Sequence, residues 1–254
     1  MTLIAGIICR DAIVFGAESE TTREPAKFQG THKLHRVRFK NDWAMVGESG
    51  VAHLSSMAIN TLKRLAADTD VTHGDVIRKT AGKAFREIVS ELNCPRLGTR
   101  KCQEFFRQDT NYFELTIGYY FCGNPHLYVL NPVFGAAASP NREFCVSGIA
   151  GYLAEYLLKE FRLPELDSIG AITTAGYVVG EVKTAVMGCG GSTEIMLVSA
   201  GSRPEIVDKS FMGMLEKRLN EFAVATRNHR MDAFKKMLES HPLAYLPVLD
   251  GTIE

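Results

Sequence analysis

The feature that most constrains this chain is the block-wise change in its hydrophobic period. Short β-rich runs give way near Val51 to apolar spacings of about 3.6, and β-rich runs return near Phe113. Thr2–Cys9 and Ala12–Ala17 flank the polar pair Arg10-Asp11, which reads as a hairpin. Leu34–Phe39 and Asp42–Val46 form a second hairpin across Lys40-Asn41. Its first strand alternates Leu34, Arg36 and Arg38 with His35, Val37 and Phe39, so only one face is clearly apolar. Val51, Leu54, Ala58, Leu62 and Leu65 then share one helical face, and Ile77, Ala81, Ala84, Ile88 and Leu92 another. Thr72 and Asp75 are the expected caps of the second helix.

Strands are expected again at Phe113–Phe121, Pro125–Asn131 and Glu143–Val146, with Gly123-Asn124-Pro125 as the connecting turn. A third helix is expected from about Gly151 to Phe161 with Leu153, Tyr156 and Leu157 buried. A fourth is expected near Ser168–Thr184. The fourth carries Gly170, Gly176, Gly180 and three threonines, a poor intrinsic helix former that close packing against small side chains would explain. Thr193–Ala200 and Pro204–Val207 complete the strands before a last helix from about Ser210. Segregated hairpins and helix pairs are best buried as two antiparallel sheets stacked face to face, with helices on both outer faces. The expectation is an α+β fold, a four-layer αββα sandwich, forming one domain over residues 1–254. An irregular basic insertion lies near 93–111, and a C-terminal helix and tail span 208–254.

The 254 residues hold 29 Lys+Arg and 29 Asp+Glu, 46% apolar and 23% charged side chains. Net neutrality argues against a protein that grips nucleic acid or an anionic membrane surface. No apolar run approaches the roughly 18 residues of a spanning helix. The N-terminus lacks a basic leader with a small-residue cleavage site, and six cysteines without C-x-x-C spacing suit reduced thiols, so a cytoplasmic location is expected.

The chemistry starts at the second residue. Removal of Met1 would leave threonine at the N-terminus, with a hydroxyl and a free α-amine on one residue. A hydroxyl is a weak nucleophile that needs a base, and an amine of ordinary pKa about 7.7–8.0 can serve near neutral pH.

The run T-L-I-A-G-I-I-C-R-D-A-I-V-F-G-A-E-S-x-x-T, Thr2 to Thr22, resembles the opening of mature β-type subunits of the 20S proteasome and their bacterial relatives. The likeness continues through K-L-H-R-V (Lys33–Val37), A-M-V-G-E-S-G (Ala44–Gly50) and C-G-G-S-T-E-I-M-L-V (Cys189–Val198), covering most of residues 2–200. It implies an N-terminal nucleophile hydrolase fold and a threonine peptidase. Thr2 would be the nucleophile, and Lys33 a cation lowering the pKa of its hydroxyl and amine. Glu18 would be the acid that holds Lys33, and the Gly47 N–H the oxyanion donor. Thr22 and Gly47 would bracket an extended substrate strand, with Met45 beside the specificity pocket. The resemblance also implies peptide or unfolded-protein substrates and a ring-like homo-oligomer, and it admits an ATPase regulator.

The pattern breaks at two places. Ile149 in S-G-I-A-G stands where active members have a serine, with Ser147 two residues earlier, and Val186 in V-M-G-C-G-G stands for an aspartate. These groups would orient the amine, so the same residues also suit a catalytically silent, proteasome-like scaffold. A small-molecule amidase is a third reading. Cys189 reads as a packed thiol before it reads as a second nucleophile. The seven scattered histidines, His32 and His35 among them, offer no metal geometry. Gly190-Gly191 and Gly148-x-x-Gly151 lack the spacing and lysine of a phosphate loop. No metal or cofactor is expected.

Overall fold

The computed structural model describes residues 2–23, 26–28, 32–92, 100–106, 112–131, 143–148, 150–187, 189–219 and 221. In chain order its strands and helices are β1 (Leu3–Ile8), β2 (Ile13–Glu18), β3 (Thr21–Arg23), β4 (Ala26–Phe28), β5 (Leu34–Arg38), β6 (Trp43–Gly50), α1 (Ala52–Ala67), α2 (Val76–Glu91), α3 (Arg100–Phe106), β7 (Phe113–Phe121), β8 (Asn124–Leu130), β9 (Phe144–Gly148), α4 (Gly151–Leu158), α5 (Ser168–Ala185), β10 (Thr193–Val198) and β11 (Glu205–Ile206). Two compact units divide the chain, Met1–Glu216 and Lys217–Glu254. In the second, residues 217–219 and 221 are described and helical.

One sheet runs β11-β10-β2-β1-β9 and the other β5-β6-β7-β8, with β3-β4 a separate two-stranded hairpin. Every pairing is antiparallel. The first hairpin closes where the Cys9 N–H donates to the Ala12 carbonyl at 2.9 Å, and the polar Arg10-Asp11 pair takes the tip.

Three separate apolar layers establish the architecture. Val37, Val46, Leu115 and Ile117 meet Leu54, Leu62, Ile77 and Ile88 of α1 and α2. On the other outer face Leu3, Ile7 and Val14 meet Ala154, Ala175, Val178 and Val179 of α4 and α5. Between the sheets lie Ile4, Ile13, Phe15, Leu34, Met45, Leu127 and Met196. Alternate residues of one strand enter different layers, as a period of two requires. The first unit, Met1–Glu216, is an α+β, four-layer αββα sandwich. Each fully buried Leu, Ile or Phe contributes about 1.5–3 kcal/mol. Phe15 fits between the sheets because Gly6 and Gly118 lack side chains: a Cβ on either would come within 3.1 Å of its ring.

Some local readings change. Tyr156 is 64% exposed, because α4 turns its Ala154–Leu158 stripe to the sheet. α2 begins after Asp75, which holds the cap position without a side-chain capping hydrogen bond, and Thr72 does not cap it. In α5, Asp167 caps the Gly170 N–H at 2.8 Å, and Ala175 and Val179 pack on Gly16 of β2. Gly180 faces open space, so packing does not explain that glycine. The basic segment near 93–111 contains α3, whose Phe106 is buried against Phe113. Among the described residues no helix is long and apolar enough to cross a membrane.

Candidate active site

Three polar side chains are buried together where the two sheets meet. Thr2 precedes β1, Glu18 ends β2 and Lys33 precedes β5, with exposures of 6%, 0% and 3%. Lys33 Nζ donates to Thr2 Oγ1 at 3.0 Å, to Glu18 Oε1 at 2.7 Å and to the Glu20 carbonyl. An ammonium has three donors and no acceptor, so these contacts use it fully. Lys33 is therefore a fixed cation against the Thr2 hydroxyl, not a base for it. A neighbouring positive charge favours the ionised form of that hydroxyl.

Glu18 is held from its other side. Its Oε2 accepts the Glu20 N–H at 2.8 Å and the Gly190 N–H at 3.4 Å. The chain beyond β2 approaches the C-G-G segment closely, with the Ser19 N–H on the Ser192 carbonyl (3.0 Å) and the Glu20 N–H on the Gly190 carbonyl (3.1 Å). A Cβ on Gly190 would lie 2.5 Å from Glu20 Oε2, so the carboxylate end of Glu20 packs directly on this glycine.

The opposite flank of Thr2 is built by β7 and β9. Leu3 pairs with Gly148, whose φ is +93° and whose N–H donates to Glu114 Oε2 at 3.0 Å. Glu114 Oε1 also accepts from Tyr112 Oη and from Asn131 Nδ2 (2.7 Å). Burial and the adjacent carboxylate push the Tyr112 phenol far above its ordinary value, so it remains a donor. Ser147 is buried and bonds Thr116 (2.8 Å) and Ser49 (3.3 Å), bridging the sheets.

Gly47 sits mid-strand between Leu34 and Thr116. The Glu48 N–H donates to the Lys33 carbonyl and the Val51 N–H to the Tyr112 carbonyl. Strand alternation therefore turns the Gly47 N–H toward β7. Its Cα faces Ile4, where a Cβ would be 2.7 Å from Ile4 Cγ2. Gly47 is thus a contact glycine between the sheets. Met45, fully buried in the same layer, does not line an open pocket. The backbone of Thr22 lies in β3 opposite Lys27. Its side chain, like Ile149, is outside the described residues. Val186 ends α5 and packs into the outer apolar layer.

Cys189 is 7% exposed, and burial with the nearby Glu18 carboxylate pushes its thiol up to about 11. At neutral pH it is a neutral, packed thiol. Among the described residues no three His, Cys, Asp or Glu side chains gather as a metal site. Sequence reasoning missed Glu20, Glu114 and Glu194. The signal for the last two was a lone acid inside an apolar strand, in F-E-L-T-I and T-E-I-M-L.

Against solved structures the likeness is extensive in shape and slight in sequence. Anbu from Pseudomonas aeruginosa, described as a helical assembly, superposes with a TM-score of 0.71 at 14% identity over 89% of this chain and 96% of its own. An Anbu Gly-1 mutant from Hyphomicrobium sp. strain MC1 gives 0.70 at 14% over 91% and 97%. Anbu, the ancestral beta-subunit, from Yersinia bercovieri gives 0.68 at 12% over 89% and 97%. The fold is Anbu-like. No family model matches the chain, and no curated protein matches its sequence.

These neighbours correct the resemblance drawn from the sequence. The structural relation is to Anbu, a proteasome-like but distinct family, and not to the β-type subunits of the 20S proteasome. At 12–14% identity the likeness is one of fold.

Proposed function

We propose that this chain is a proteasome-like N-terminal-nucleophile hydrolase that cleaves peptide bonds with Thr2 after loss of Met1. The observation supporting this reading is the buried contact of Lys33 Nζ with both Thr2 Oγ1 (3.0 Å) and Glu18 Oε1 (2.7 Å). Because the lysine is saturated as a donor, the proton of the attacking hydroxyl passes to the α-amine of Thr2. Oγ adds to the amide carbonyl, and the collapsing intermediate takes the proton from the ammonium onto the leaving amine. Water then hydrolyses the ester, with the amine again accepting a proton. The Gly47 N–H faces β7, so this reading does not use it as the oxyanion donor. We further propose that copies of the chain self-assemble, in keeping with the described helical assembly of the Pseudomonas aeruginosa protein.

Two observations favour a silent scaffold instead. Val186 offers the Thr2 amine no acid, and Gly47 offers an oxyanion no N–H. Intact-mass analysis with and without a β-lactone decides between them. A single adduct, absent in Thr2→Ala and lost or slowed at least about a hundredfold in Lys33→Ala, supports the hydrolase. Retained Met1, or a free Thr2 that takes no adduct, supports the scaffold.

A further inference from the structure

The ammonium of Lys33 is fixed by Thr2, Glu18 and Glu20, and its main chain is fixed by a different group. Glu194, on β10 of the opposite sheet, accepts the Lys33 N–H at 3.1 Å and the Leu34 N–H at 3.3 Å through Oε2, while Oε1 meets His32 Nδ1 at 2.8 Å. One carboxylate thus grips three consecutive residues where the chain enters β5. Its side chain is 10% exposed, whereas His32 is 67% exposed. Two of these donors are peptide groups with no side-chain freedom to lose.

We infer that Glu194 is a positioning residue for Lys33: it sets the main chain from which the lysine reaches Thr2. This rests on the catalytic reading of Thr2 and Lys33 above. A long side chain aimed at a hydroxyl 3.0 Å away transmits any shift of its own Cα to the ammonium. Misplacing a catalytic group by about 1 Å can cost about a hundredfold in rate. β10 itself is tied to β2, the strand that ends in Glu18, with Thr193 opposite Glu18. The same strand pair therefore places the lysine and its counter-ion.

The test separates the rate of β-lactone attachment to Thr2 at saturation from the half-saturating concentration, both followed by intact mass. Glu194→Ala is expected to lower the saturating rate about ten- to a hundredfold with half-saturation unchanged. Glu194→Gln keeps an oxygen for both peptide donors and an N–H for His32, and regains most of that rate. Glu194→Asp keeps the charge but withdraws it by one methylene. It is expected to be slow, which preserves the contrast with Gln if the alanine variant does not fold. His32→Ala stays within about twofold of the wild type, since the peptide contacts remain. A wild-type rate in both Glu194→Ala and Glu194→Asp, no recovery in Glu194→Gln, or a shifted half-saturation overturns the positioning role. Wild-type protein with free Thr2 and no adduct removes the catalytic reading itself, whereas labelled wild type with insensitive variants removes only the role of Glu194.

Discussion

Gly148 leaves no gap between its α-carbon and the Thr2 carbonyl: a Cβ there would lie 1.9 Å from that oxygen. The residue also has φ of +93°, and its N–H is held by Glu114. The end of β9 is thereby clamped between a buried carboxylate and the main chain of the proposed nucleophile. Gly148→Ala should destabilise the fold and displace Thr2. Gly123→Ala is the matched control, because Gly123 has φ of +78° with nothing near its Cβ position. The control is expected to lose about 1–2 kcal/mol from backbone strain alone. Gly148→Ala should lose at least about 1–3 kcal/mol more from overpacking. Urea unfolding of the two variants checks this, and equal losses would mean the clamp yields freely.

Lys33 and Glu18 make a second prediction through their burial. Lys33→Met leaves a fully buried carboxylate without its cation, an arrangement that costs about 3–5 kcal/mol. Adding Glu18→Leu removes the stranded charge, so the double variant should regain much of that loss while remaining inert to the β-lactone. Denaturant midpoints of the two single variants and the double give the coupling. Strict additivity would show that the pair is not coupled in the fold.

Cys189 makes a prediction about pH. Its thiol titrates near 11 against an ordinary 9.0, chiefly through burial. The raised value means the folded state retains a proton that the unfolded state releases. Its effect on stability is absent below about pH 9 and becomes unfavourable as pH rises from 9 toward 11. In native protein at pH 8, iodoacetamide should modify exposed Cys122 and spare Cys189. Peptide mapping after alkylation reads this directly, and rapid modification of Cys189 at pH 8 would contradict the burial argument.

The layers were legible in the sequence because they depend on period alone. Leu54 and Leu62 recur on a helical face, while Ile4 and Leu3 alternate between two apolar layers, so a residue string suffices to sort them. The Thr2–Glu18–Lys33 cluster was legible only through resemblance, since residues 31 positions apart meet by sheet stacking that no local pattern encodes. Tyr156 was misjudged because α4 is short and apolar on several sides, which leaves its buried face ambiguous. Glu114 and Glu194 were marked only as lone acids inside apolar strands. The peptide N–H groups they hold, of Gly148 and of Lys33 and Leu34, belong to distant segments that no local pattern connects to them.

Gly47 and Ile4 provide the sharpest test of what that glycine does. A Cβ at Gly47 would meet Ile4 Cγ2 at 2.7 Å in a layer with no exposed neighbour to yield. Gly47→Ala alone should cost about 1–3 kcal/mol by overpacking. Ile4→Ala alone should cost about 2–5 kcal/mol by opening a cavity. Together each relieves the other, so the double variant should be more stable than the sum of the losses by roughly 1–3 kcal/mol. Alanine keeps the peptide N–H of glycine, and that N–H faces β7, so β-lactone labelling of the double variant should recover along with its stability. Recovered stability with labelling still absent would show that residue 47 acts on the substrate directly and not through its contact with Ile4.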